Sequence, residues 1–214
     1  MTTQLASGTM PSKLLILDVD GVVSPVHPVP GTLPWRDEIE VGDVFGPVLV
    51  SPTLCARLDR LAQHPDLSCV WLTSWTPGMR ARMKCFPGRT WPDIGQPQRN
   101  PTGGPERDHE TEWWKWRALR SWLDTHTGIS RIVWCDDDIG STAQRQPPQP
   151  DPEGARRSAA SDEPLESLAE RTAVWGYLDN RRITSWLIAP RVDIGLTPRH
   201  LDSMEAFLAL PDPR

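Results

Sequence analysis

Several short apolar runs of this chain end in residues that could do chemistry. The first, KLLIL, leads into Asp18-Val19-Asp20-Gly21. If the extended form continues, alternation turns Asp18 and Asp20 to the same side, and Gly21 permits a sharp turn after them. Two close carboxylates repel unless a cation or a shared proton compensates. Magnesium suits such a pair, because it takes hard oxygen ligands and keeps room for water and phosphate. The plainer alternative is an Asp-rich turn that caps a strand. A second run, SRIVWC, ends in Asp136-Asp137-Asp138. Three successive acids hold structure together poorly. Hydration by solvent would explain them singly, whereas a metal shared with the first run explains both clusters. A third run, SCVWL, ends in Thr73-Ser74, whose hydroxyls and backbone donors suit a phosphate oxygen, although such a pair is unremarkable by itself. Lys115 lies between Trp114 and Trp116 near the start of an amphipathic segment. It could reach the acidic ends and neutralise an aspartate and a phosphate. Alternatively its stem covers a tryptophan while the charge stays in water.

Elements that would position these groups are readable in the same pattern. Lys13–Val19, Ser68–Thr73, Ser130–Cys135 and Ile183–Ala189 predict buried strands. Ser51-Pro52 and Thr197-Pro198 predict a capping residue followed by proline in the first helical position. Leu54, Leu58 and Leu61 line the first of these helices, and Leu201, Met204 and Leu208 the second. Thr76–Arg82 predicts a short helix. Glu110–Asp124 predicts a longer one, with Trp116, Leu119 and Leu123 on one face and Trp122 beside them. Ser24–Pro34 holds four prolines and excludes a helix or central strand. Glu38–Val50 reads as β-like pieces around Gly42 and Gly46, a hairpin or flap. Strands alternating with helices imply an α/β domain with a mainly parallel sheet, and such sheets bind ligands beyond the carboxyl ends of their strands. We expect a flexible segment over residues 1–12, one domain over 13–210, and a flexible Pro-rich insertion at about 141–170.

Composition narrows the function. The 214 residues carry 28 acids and 23 bases, a formal charge of −5, which argues against gripping nucleic acid through bulk positive charge. No apolar run approaches the roughly 20 residues that span a bilayer. Met1–Pro11 lacks a basic start followed by an apolar stretch, so a cytoplasmic protein is expected. The four cysteines, Cys55, Cys69, Cys85 and Cys135, are widely spaced; reduced buried thiols are expected rather than a zinc site or disulfides. There are 11 Trp against one Tyr and three Phe. Their place in apolar periodic segments assigns most of them to the core, with a base-stacking platform as the sharper alternative.

Taken together, LILDVDGVV (15–23), VWLTSW (70–75), Lys115 and IVWCDDD (132–138) resemble the four motifs of the haloacid dehalogenase-like (HAD) phosphohydrolase superfamily, in order and spacing. WLTSW and the ending GLTPRHLDSMEAFL further resemble small Trp-rich actinobacterial and phage members. A looser similarity is to phosphatase-like domains linked to RNA repair. The resemblance implies a three-layer Rossmann-like fold and an aspartyl-phosphate mechanism. Asp18 would be the nucleophile and Asp20 the general acid and base. Thr73, with Ser74, would bind the phosphoryl group, and Lys115 would steady it and Asp18. Mg²⁺ would be held by the Asp18 carboxylate, the Asp20 backbone carbonyl and Asp136, with Asp137 direct or through water. The proline-rich segment between the first two motifs is short, so the cap domain is minimal or absent, leaving residues 86–106 and 141–170 to cover the site.

The leading expectation is therefore a Mg²⁺-dependent phosphatase acting on a phosphorylated small molecule or nucleotide. Two alternatives stay open. One is a phosphate-end processing enzyme on nucleotides or nucleic acid, with tryptophans stacking on bases. The acids and histidine of residues 106–112 do not favour an anionic polymer beside Lys115. The other is a non-catalytic binding protein of the same fold, against which the complete set Asp18, Asp20, Thr73, Lys115 and Asp136 argues.

Overall fold

Apolar stretches of five residues are too short for stable helices, and four of them assemble here into one sheet. The computed structural model describes residues 11–43, 47–96, 113–139 and 165–211, with backbone alone at residues 43 and 165–172. In chain order the elements are β1 (Lys13–Leu17), β2 (Ile39–Asp43), β3 (Pro47–Val50), α1 (Pro52–Leu61), β4 (Leu67–Trp71), α2 (Pro77–Arg82), α3 (Trp114–Thr125), β5 (Arg131–Cys135), a 3-10 turn (Asp137–Ile139), α4 (Leu165–Asn180), β6 (Thr184–Ile188) and α5 (Pro198–Ala209). The central sheet has the order β4-β1-β5-β6 with every pair parallel. Between β1 and β4 the described residues hold the antiparallel pair β2-β3 and α1, with no cap domain.

The strands are level, and that decides where the chemistry falls. Leu17 stands opposite both Trp71 and Cys135, and Cys135 opposite Ile188. The ladder runs one residue further: the N–H of Leu72 donates to the Leu17 carbonyl, that of Asp18 to Cys135, and that of Asp136 to Ile188, each at 3.0 Å. Asp18 and Asp136 thus leave adjacent strands at one height, with Thr73 just past the end of the strand on the other side of β1.

Period-two alternation divides the core between the two faces of the sheet. Leu15, Leu17, Cys69, Trp71, Val133 and Cys135 pack with α1 and α5 through Leu54, Leu58, Leu201 and Met204. Leu14, Ile16, Val70, Ile132 and Trp134 pack with α3 and α4 through Trp116, Leu119, Leu123, Val174 and Leu178. The result is a three-layer α/β/α sandwich. Its helices start where the sequence says they should. The Ser51 hydroxyl accepts from the Leu54 N–H at 3.0 Å, and Thr197 and His200 cap each other's backbone N–H reciprocally, a capping box closed by histidine instead of Glu or Gln.

Three expectations change. The predicted helix over 110–124 is seen from Trp114, with residues 110–112 outside the described ones. A helix, α4, occupies 165–180, so the last six residues of the expected insertion at 141–170 are helical, while 141–164 lie outside the described residues. Cys85 is exposed, in contrast to the buried Cys55, Cys69 and Cys135, and all four are free. Burial pushes the Cys55 and Cys69 thiols up to about 12, so they act as small apolar side chains. Six tryptophans (Trp35, Trp71, Trp75, Trp116, Trp134, Trp186) are buried in the core and five are half-buried. Residues 97–106 of the possible cover, and residues 1–10, lie outside the described residues. Among the described residues no helix is long and apolar enough to cross a membrane.

Candidate active site

At the carboxyl edge of the sheet the chain leaves β1 through Asp18 and turns at once. The N–H groups of Val23 and Ser24 both donate to the Val19 carbonyl at 2.9 Å, and Gly21 N–H donates to the Ser24 carbonyl at 2.8 Å. This loop needs a glycine twice over. Gly21 has φ +64°, and a Cβ there would lie 2.5 Å from Cγ of Asp137 and 2.6 Å from its Oδ2. The missing side chain is the space into which the Asp137 carboxylate reaches.

Lys115 joins the two acidic clusters. It sits in the first turn of α3 and is 4% exposed. Its Nζ donates to Asp18 Oδ2 at 2.5 Å and to Asp136 Oδ2 and Oδ1 at 2.8 and 3.0 Å. The arrangement with its charge in water is therefore not the one adopted. Trp113 and Trp114 flank the ammonium, their ring centroids 5.5 and 6.0 Å away. Asp18 is itself buried, and its Oδ1 accepts from the Val19 N–H at 2.6 Å, so both of its oxygens are held. Asp136 is fully buried and also accepts from the Asp138 N–H at 3.1 Å. Asp138 points outward, its side chain 69% exposed. Solvent hydrates this third acid, and its Oδ2 also lies 3.9 Å from Lys115 Nζ.

Burial and like charge work together on the carboxylates. Burial raises Asp136 well above the usual carboxylate range against the pull of Lys115. It also raises Asp137, helped by Asp138 and Asp18, to about 7. Asp20 is raised by burial and by Asp18, while the indole N–H of Trp75 draws it partly back. Burial alone would discharge Lys115, but Asp136 and Asp18 outweigh it and raise its pKa above the usual lysine value. The lysine therefore stays charged at neutral pH.

One oxygen from each of Asp18, Asp136 and Asp137 lies within 4.8 Å of the others. Fully ionised, the three carry three negative charges against one on Lys115, an excess of two. A divalent cation with oxygen preference matches both the donor set and that excess, and the opening at Gly21 admits the third carboxylate. These residues fit magnesium. The Asp20 carboxylate is outside this group; it accepts from Trp75 Nε1 at 2.9 Å.

Thr73 is fully buried, and its hydroxyl oxygen accepts from the Trp75 N–H at 3.2 Å. Ser74 is exposed. The structure thus draws Asp18, Lys115, Asp136 and Asp137 into one cluster and links Thr73 to Asp20 through Trp75. Sequence reasoning missed three supporting residues. Arg80, buried, donates from Nη1 to the Trp75 carbonyl at 2.5 Å and from Nη2 to both oxygens of Asp93 at 2.8 Å. Trp75, Arg80 and Asp93 fix the loop after β4. The only signal in the sequence was the tryptophan two places beyond Thr73.

The level parallel sheet with its acidic carboxyl edge is a Rossmann-like fold of HAD type. The chain belongs to the haloacid dehalogenase-like superfamily: residues 14–159, more than half of its length, match the family model described as "HAD domain in Swiss Army Knife RNA repair proteins". No curated protein and no solved structure matched in the corresponding comparisons.

Proposed function

We propose that this protein is a Mg²⁺-dependent phosphomonoester hydrolase that works through an aspartyl-phosphate on Asp18. The observation that carries this reading is the ammonium of Lys115, buried between Asp18 and Asp136 at the level ends of adjacent strands. One buried lysine among three clustered acids, two of them raised by burial and like charge, is costly to keep for stability alone. It is well suited to a site that receives a metal and a phosphate.

The Val19 N–H and Lys115 fix the Asp18 carboxylate from its two oxygens. An Asp18 oxygen attacks phosphorus as the bond to the ester oxygen breaks, and Asp20 gives that oxygen its proton. Burial, which raises Asp20, favours the protonated form this step requires. Asp20, now ionised, takes a proton from water; the water oxygen attacks phosphorus, releasing phosphate and restoring Asp18. Thr73 and Lys115 hold the phosphoryl oxygens as charge moves onto them, with Ser74 at the exposed side. Magnesium bound by the Asp18 and Asp136 carboxylates, the Asp20 carbonyl and Asp137, directly or through water, would offset repulsion between nucleophile and phosphate.

A second reading keeps the chemistry and changes the substrate to the phosphorylated end of a nucleic acid. The family description supports it, as do the half-buried Trp113 and Trp114 beside Lys115. The four free cysteines support a reducing, cytoplasmic setting. A phosphate-release screen over phosphorylated metabolites and 3′- or 5′-phosphorylated oligonucleotides, with and without Mg²⁺, tests both readings. Mg²⁺-dependent release from any of them upholds the hydrolase. Release from oligonucleotides alone selects the second reading, and binding without release selects a non-catalytic binding protein.

A further inference from the structure

We infer that Trp75 is a positioning residue that sets the acid-base carboxylate of Asp20 and the phosphate-binding hydroxyl of Thr73 relative to each other. The inference rests on the hydrolase reading above for the roles of those two residues. Its geometric part stands on the structure alone.

Asp20 and Thr73 come from different strands. Asp20 follows β1 in a tight loop, and Thr73 follows β4. The last ladder bond between these strands, from the Leu72 N–H to the Leu17 carbonyl, stops short of both side chains, and a general acid must meet its leaving oxygen within hydrogen-bond reach to be useful. Trp75 contacts both. Its indole Nε1–H donates to Asp20 Oδ2 at 2.9 Å, and its backbone N–H donates to Thr73 Oγ1 at 3.2 Å. The side chain is 4% exposed and its ring stacks on Phe86, with centroids 6.2 Å apart and planes 7° from parallel. The backbone is held from the other side, where Arg80 donates to the Trp75 carbonyl while paired with Asp93. A rigid aromatic donor, clamped at ring and backbone, therefore leaves the Asp20 carboxylate one preferred orientation. Indole has a single N–H and no acceptor, so it can direct one oxygen of Asp20 without competing for the proton that the other must carry.

The test uses Trp75→Phe, which keeps an aromatic ring on Phe86 and removes the donor. Two phosphomonoesters are compared in Mg²⁺: an alkyl ester, whose leaving oxygen needs a proton, and an aryl ester with an acidic phenol, which leaves without one. Misplacing the acid should lower kcat/KM for the alkyl ester about 10- to 100-fold more than for the aryl ester, part of the roughly 10²- to 10⁴-fold that a general acid supplies. In an Asp20→Asn background the same change should cost almost nothing, because the two residues act as a unit. Equal losses on both esters, or the full loss repeated in the Asp20→Asn background, would overturn the positioning role. A second readout needs no turnover. The indole N–H resonance of Trp75, assigned by its disappearance in Trp75→Phe, should shift in Asp20→Asn while that of Trp71, bound to the Gly88 carbonyl, stays in place. An unmoved Trp75 resonance refutes the link to Asp20 whatever the activity. Wild-type protein inert towards both esters, with the resonance shift present, would instead count against the hydrolase reading and the catalytic role assigned to Asp20.

Discussion

Strand β5 carries a buried charge at each end, and the two are treated in opposite ways. At its start, Arg131 is 3% exposed, and its guanidinium donates to the carbonyls of Phe207, Leu210 and Pro211 at 2.7 to 2.8 Å. Fixed backbone dipoles answer the charge, and the contact ties the end of α5 to the sheet. Just past its other end, Asp136 is fully buried beside Asp18 and Asp137, three acids around one lysine. The first end sets a cation against backbone carbonyls, although its Nε makes no hydrogen bond among the described residues; the second sets several acids against one another. On the proposed function, the second end is where binding and chemistry take place.

Substituting the cation at each end separates the two most sharply. Lys115→Met should lower turnover about 10²- to 10³-fold, the scale of a lost transition-state charge donor, and destabilise the metal-free protein by about 3 kcal/mol through two buried carboxylates, Asp18 and Asp136, left without their cation. Arg131→Met should cost a similar stability, about 2–3 kcal/mol for unpaired buried carbonyls, with kcat changed less than about twofold, since it touches nothing at the acidic edge. Denaturant melts beside phosphate-release rates check both. Loss of activity in Arg131→Met at temperatures where it remains folded would erase the contrast.

Metal addition should act at one end only. Mg²⁺ at about 100 times its Kd stabilises a protein that binds it only when folded by about 2.7 kcal/mol, a rise of about 5–10 °C in Tm for a chain of this size. Asp136→Asn should remove most of that rise, while Arg131→Met should keep it. Thermal melts across a Mg²⁺ titration read this directly.

The smallest expected effect is that of pH on the metal-free protein. Asp137 is raised from its ordinary 3.8 to about 7, so between those values the folded state binds more protons than the unfolded. Stability from this group is complete below about pH 3.8 and is lost as pH rises through 7. Asp20 and Asp136 shift in the same direction. His200 is lowered by burial and by Arg199, so it stabilises only above its folded value and opposes the trend. Metal-free protein should therefore gain stability from pH 8 towards pH 5 more strongly than Asp137→Asn does, and saturating Mg²⁺ should flatten the difference. A wild-type slope equal to that of Asp137→Asn would show that Asp137 does not feel the cluster.

What could be read from the sequence is what is local. Asp18, Thr73 and Asp136 each follow an apolar run, and parallel strands align such ends, so their meeting at one edge follows from the pattern. Lys115 was placed by its position in a helix before the last acidic strand. The hydrogen bonds from Trp75 to Asp20 and from Arg80 to Asp93 were not legible, since they depend on which loop lies beside which once the strand order is set. Helix α4 escaped because its buried anchors among residues 173–180, Val174 and Leu178, are few, with Gly176 between them and a proline-rich stretch before it. The exposure of Asp138, Ser74 and Cys85 was not legible from neighbouring residue types either; Cys85 has φ +54°.

The central claim is that the buried cluster at the end of β1 serves covalent phosphoryl transfer to Asp18. Asp18→Asn tests it most directly, because the amide matches the carboxylate in size and cannot act as nucleophile. On a phosphorylated substrate that the wild type turns over in Mg²⁺, phosphate release by Asp18→Asn should fall by about 10³-fold or more, with the melting transition still cooperative and substrate binding retained or tightened. Release at the wild-type rate would contradict the account and return the cluster to a strand-capping acidic turn.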